Sequence, residues 1–120
     1  MGNESGEKGS GHVLLIKNDR MGSGPDELGT ILMKGFMNVI QEVAPLPGTI
    51  IFYNNGIHLT IEGSPVLDTL KELESRGVTI LVCGTCLNYF DKKESLEAGK
   101  VSNMHEITET LTRARHIIAP

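Results

Sequence analysis

The chain's only two cysteines, Cys83 and Cys86, stand in CxxC spacing within VTILVCGTCLNYF, at the end of an apolar run. A thiol is a weak nucleophile near its ordinary pKa of about 8.5 and becomes useful once its surroundings stabilise the thiolate. If the chain turns from strand into helix at Gly84 and Thr85, the free N–H groups of the first turn point at Cys83 and Cys86, and the helix dipole adds positive partial charge. Gly84 permits a tight turn and puts no side chain in the way. The CxxC spacing also brings two sulfurs within exchange distance, so that one holds a persulfide and the other releases it by attack. A thiolate poised in this way is expected to alkylate well below the pH at which a free thiol does. The same pair could cycle between dithiol and disulfide, supply half of a zinc clamp, or simply finish a buried strand, since free cysteine is among the most buried residue types. Cys83 and Cys86 are thus the candidate catalytic residues.

Two of these alternatives fit the surrounding residues poorly. A thioredoxin-like site would not be expected after the third strand of a repeating strand-helix pattern, and no proline lies between Cys83 and Pro120 to flank the thiols. A structural zinc site needs four ligands, and His12, His58, His105 and His116 have no paired spacing, so zinc would require a site shared between subunits. No motif calls for a metal or an organic cofactor. MGSGPDELG precedes a helix start and faintly resembles a phosphate cradle, but it matches neither GxGxxG nor GxxxxGK[ST]. Asp26 and Glu27 would also repel a phosphate there, which leaves a strand-to-helix loop. His58 could act as a base or a charge partner for a thiolate, although a solvated loop histidine is the plainer reading. Arg20 and Lys92 are further sources of positive charge.

These side chains need a scaffold, and its pattern repeats along the chain. HVLLIK (12–17), TIIFY (49–53) and VTILV (78–82) have the length and flanks of buried strands, and HIIA (116–119) is a short last one. Between the first two, a helix starts at Pro25, with Asp26 and Glu27 placed for the dipole, and runs to about Ala44 before Pro45 and Pro47. Its apolar face is expected to be Leu28, Ile31, Leu32, Phe36, Val39, Ile40 and Val43. Met21, Met33, Met37 and Met104 read as ordinary core or loop residues. A second helix is capped by Ser64, begins at Pro65, buries Val66, Leu67, Leu70 and Leu73, and stops at Gly77. One or two short helices follow within 86–99, and MHEITETLTR (104–113) forms another, capped by Asn103. The alternation implies a three-layer α/β/α domain with a mostly parallel sheet of four to five strands, the fifth being sought in 56–62. In such sheets chemistry collects at the carboxyl ends of the strands. The loops 18–24, 54–58 and 83–88 therefore become neighbours, and Asn54, His58 and Arg20 join Gly84 and Thr85 as supporting residues.

The composition narrows the partners. Eleven Lys plus Arg against 15 Asp plus Glu give a formal charge of −4, which argues against nucleic acid. No apolar run is long enough to span a membrane. Residues 1–11 read as a flexible linker or expression remnant, without a leader-like apolar stretch. A close cysteine pair without a disulfide framework points to a reducing, cytoplasmic compartment.

NDRMGSGPDELGTILMKGF, EGSPVLDTLKELESRGVTILVCGTCLNYF and GKVSNMHEI, in this order, resemble the C-terminal domain of the YedF-type selenium metabolism proteins, a branch of the DsrE/DsrF-like family. The likeness covers nearly everything from Val13 to Pro120 and assigns 12–120 to one DsrE/DsrF-like domain. It implies a sulfur relay fold of sulfurtransferase type, in which a cysteine carries sulfur or selenium between donor and acceptor proteins, and a tendency to form homo-oligomers. By position Cys83 matches the carrier cysteine and Cys86 completes the pair as resolving thiol. The TusA-like domain that usually precedes this one in YedF-type proteins is absent from the sequence, and such a domain is an expected exchange partner. The same residues also allow a non-catalytic oligomeric scaffold, a regulatory interaction domain, or a dithiol redox module.

Overall fold

A computed structural model describes residues 11–120. Five strands form one sheet in the order β4-β3-β2-β1-β5, and every pairing is parallel. The strands are β1 (His12–Ile16), β2 (Thr49–Phe52), β3 (Thr79–Cys83), β4 (Lys100–Ser102) and β5 (His116–Ile118). The helices are α1 (Asp26–Ile40), α2 (Leu67–Ser75), α3 (Gly84–Tyr89) and α4 (Met104–Arg113). The three-layer α/β/α expectation holds. Residues 54–60 form a 3-10 helix, so the fifth strand is β4, in KVS, and not the 56–62 segment. The expected linker lies outside the described residues except for Gly11, whose carbonyl accepts from Arg115 N–H at 3.0 Å and ties it to the start of β5.

Alternate strand residues serve opposite faces of the sheet. Leu14, Ile16, Ile50, Phe52, Ile80 and Val82 pack with Met33 and Met37 of α1 and with Leu70 and Leu73 of α2. Val13, Ile51, Leu81 and Cys83 pack with Ile107 of α4 on the other face. Right-handed crossovers explain the division, since β1 to β4 step one way across the sheet while the link from β4 to β5 runs back. Burying each large aliphatic side chain contributes about 1.5–3 kcal/mol, and the first face holds most of them.

Helix ends follow local chemistry. Asn103 Oδ1 accepts the Glu106 N–H at 2.8 Å, capping α4 as expected. Ser64 Oγ accepts from Val66 N–H at 3.2 Å, ahead of α2, and Gly77 sits at φ +96° beyond its end. The inward face of α1 departs from expectation. Gly29, Met33, Met37 and Ile40 are buried, while Leu28, Ile31, Leu32, Val39 and Val43 are exposed. Both sets repeat with helical period, and the sheet selects the methionine face, where flexible thioethers fill the space over β1 and β2.

Candidate functional site

Cys83 is the last residue of β3 and the residue before α3. Its side chain falls on the α4 face and is 1% exposed. It makes no cap hydrogen bond to the first turn of α3. The expected stabilisation of Cys83 by the N–H groups of that turn is therefore not realised. Gly84 is needed for a different reason from an open sulfur: a Cβ there would sit 3.0 Å from the Ser102 carbonyl and 3.0 Å from Val101 Cγ1. The start of α3 thus lies close against β4, the strand whose Ser102 pairs with Cys83.

Cys86 lies on the open side of α3, partly exposed. Its Sγ accepts the Asn54 N–H at 3.1 Å, joining the loop after β2 to the thiol after β3. Asn54 can present that N–H because it adopts φ +54°, a left-handed conformation that asparagine tolerates better than most residues. Asn54 Oδ1 accepts the Asn55 N–H at 2.9 Å, which supports the turn. Just beyond, Gly56 packs so tightly on β1 that a Cβ would collide with the Ile16 carbonyl. The two thiols lie close enough for each to affect the other's ionisation. Burial pushes the Cys86 thiol up; the Asn54 N–H pulls it down, and the adjoining Cys83 thiol and its charge add to the rise, so the net shift is upward. A thiolate poised at low pH is thus not what the site holds.

Around Cys86 opens a depression of about 400 Å³ lined by Asn54, Thr85, Tyr89 and Phe90. None of its lining residues is charged. Tyr89 is 81% exposed, and its ring meets Phe90 edge-on at 5.1 Å. Sequence reasoning gave these two aromatics no role, yet three and four residues after Cys86 on a helix is the spacing that shares its face.

The remaining supporting residues divide. Thr85 and Asn54 border the thiol, as expected of the rim. His58 does not reach it: its Nδ1 bonds the Asn55 carbonyl at 3.0 Å, and its ring packs edge-on against Phe90 at 4.7 Å. It lines a different cavity, beside Asp19, Thr30 and Met33, and is not placed as a base for either sulfur. Arg20 is held elsewhere, paired with Asp26 at 2.8 Å and Asp19 at 3.3 Å. It anchors the loop after β1 to the start of α1. Among the described residues no group of three or more His, Cys, Asp or Glu could hold a metal ion, and no helix is long and apolar enough to cross a membrane.

The sequence profile of the DsrE/DsrF-like family matches residues 32–120. The chain belongs to this family. No match was found among curated proteins. Solved structures with the same fold include MTH1491 of Methanobacterium thermoautotrophicum, a protein of unknown function, at 21% identity and TM-score 0.65, covering 91% of this chain and 97% of that one. YchN of E. coli is 10% identical with TM-score 0.66, covering 91% and 98%. BT1422 of Bacteroides thetaiotaomicron, a conserved protein of unknown function, is 15% identical with TM-score 0.60, covering 94% and 97%. At these identities the likeness establishes the DsrE-like fold.

Proposed function

We propose that this DsrE-like domain carries sulfur or selenium as a persulfide or perselenide, with Cys86 as the thiol that meets the partner and Cys83 as the resolving thiol behind it. The YedF-type likeness and the selenium option belong to this proposal. The observation that carries it is the unequal exposure of the pair: Cys86 borders an open depression, whereas Cys83 is 1% exposed. This inverts the roles expected from the sequence, because a donor's sulfur can approach only the exposed thiol.

The Cys86 thiolate attacks the outer sulfur of a donor persulfide, the donor S–S bond breaks, and the donor leaves as a thiolate. An acceptor thiolate then takes the outer sulfur and returns Cys86 to the thiolate. Without an acceptor, the Cys83 thiolate attacks Cys86 Sγ, forming a Cys83–Cys86 disulfide and expelling hydrosulfide. The uncharged depression offers no ion pair for a free amino acid or nucleotide, which favours protein thiols as donor and acceptor, a TusA-like domain among them. A reducing, cytoplasmic compartment keeps the unloaded pair as thiols.

The test is to incubate the reduced protein with a cysteine desulfurase supplied with cysteine or selenocysteine, so that the desulfurase persulfide or perselenide is the donor, and weigh it intact. With no acceptor present, one added chalcogen atom is expected on Cys83→Ser, a Cys83–Cys86 disulfide in wild type, and neither in Cys86→Ser. No addition under conditions that load a known carrier would sink the proposal, and loading of Cys86→Ser alone would restore the role to Cys83. A second reading, a non-catalytic scaffold or regulatory domain, is favoured by the upward shift of Cys86. It requires a thiol that alkylates slowly and never loads.

A further inference from the structure

Cys83 must lose its thiol proton before its sulfur attacks Cys86. It is 1% exposed and packs under Ile107 of α4, so bulk water does not take that proton directly. The polar groups beside it therefore decide the matter. β3 and β4 end together, with Cys83 and Ser102 paired in register on neighbouring strands about 4.8 Å apart. Both side chains stand on the α4 face, since Cys83 packs with Ile107 and Ser102 Oγ donates to Glu106 Oε1. Ser102 is 5% exposed, in a layer where a branched aliphatic residue would suit the strand at least as well. Its hydroxyl accepts one hydrogen while donating its own, which is what a relay needs. Glu106 is partly exposed, so a proton that arrives there reaches water.

Glu106 is also turned differently from a capping carboxylate. Three residues after a helix cap, a glutamate ordinarily reaches back to the N–H of the cap residue. Here Asn103 Oδ1 holds the Glu106 N–H at 2.8 Å, while the Glu106 carboxylate accepts from Ser102. The other ionisable groups around Cys83 are differently placed. Tyr53, just after β2, and Cys86 of α3 pack against the same apolar layer. Lys100 of β4 and His105, Glu109 and Arg113 of α4 are exposed, and the last two pair with each other at 3.3 Å.

We infer that Glu106, through the Ser102 hydroxyl, is the proton acceptor for Cys83. The inference rests on the carrier reading, in which Cys83 is the resolving thiol. The Cys83 proton passes to Ser102 Oγ as the Ser102 proton passes to Glu106 Oε1. Cys83 Sγ then attacks Cys86 Sγ of the ionised persulfide, the bond from Cys86 Sγ to the outer sulfur breaks, and its electron pair leaves with that sulfur. The outer sulfur takes a proton from solvent on the open side and departs as hydrosulfide. Glu106 returns its proton to solvent, so the exchange is proton-neutral. Four residues of SNMHEI (102–107) thus act on one thiol: Ser102 and Glu106 move its proton, Asn103 fixes the helix that carries Glu106, and Ile107 keeps water out.

The test treats the reduced full chain with an equal amount of dipyridyl disulfide and follows thiopyridone release by absorbance. Cys86 takes half of the reagent and releases one thiopyridone; Cys83 then attacks Cys86 Sγ and releases the second, leaving a Cys83–Cys86 disulfide. No chalcogen is loaded, so failure here leaves loading of Cys86 standing, and failure of loading leaves this outcome untouched. In wild type the second release is expected to hold one rate from about pH 6 to 8, because a carboxylate acceptor is ionised throughout. Glu106→Gln keeps a hydrogen-bond acceptor for Ser102 and removes the base, whereas Ser102→Ala breaks the relay. Each should slow only the second release, by about a hundredfold at pH 6, and restore the rise of about tenfold per pH unit shown by a thiol that ionises to water. A second release in Glu106→Gln that matches wild type, both releases slowed alike, or a wild type that yields one thiopyridone overturns the inference.

Discussion

Cys83 and Cys86 share one turn of backbone yet occupy different environments. Cys83 ends a strand, points into the apolar layer beneath α4, and is sealed by β4 and Ile107. Cys86 stands on the short helix itself, touching both apolar layers and opening to a depression with aromatic walls. The difference teaches that CxxC alone does not assign roles. Strand parity decides which sulfur is buried, and a hydrogen bond from another loop, that of Asn54, decides how the other is held.

The sharpest way to break this contrast is thiol labelling in the native state. Cys86 should react with a small alkylating agent at least about a hundredfold faster than Cys83, whose labelling requires local opening; mass spectrometry of digests reads both rates, and equal rates would remove the distinction. Next in size is the glycine between them. Gly84→Ala should destabilise the fold by about 1–3 kcal/mol in chemical denaturation, because the methyl group crowds Ser102 and Val101. Asn103→Ala removes the cap of α4, the helix over Cys83, at about 1 kcal/mol. It should accelerate Cys83 labelling about fivefold and leave Cys86 unchanged. The smallest effect is on pH dependence. Because the Cys86 pKa is raised on folding, its contribution is fully present below the unfolded thiol pKa and is lost as pH rises through the folded value. Denaturation midpoints should therefore fall as pH rises above the unfolded thiol pKa of about 8.5 in wild type, with a shallower slope in Cys86→Ser.

Much of this contrast was legible in the chain, and its limits have physical causes. Asn103 and Gly77 could be assigned from sequence because capping acts within a few residues. The placement of the thiols at the carboxyl end of β3 followed from strand length and alternation. The inward side of α1 could not be read, since two apolar stripes share one periodicity and only packing against β1 and β2 selects Met33 and Met37 over Leu32 and Val39. Strand parity at Cys83 depends in the same way on which sheet face α4 covers. The Asn54 donor joins residues that lie far apart in sequence, and no local pattern encodes such a contact. His58 and Arg20 follow β2 and β1 in the chain, but their side chains lie with Phe90 and with Asp19 and Asp26.

The two edges of the sheet carry a last implication. β4 and β5 are three residues each, too short to template a neighbouring strand, and short edges of this kind guard against ribbon-like growth. Contacts this domain makes with other chains are thereby steered toward side chains and away from strand-by-strand extension of the sheet through backbone.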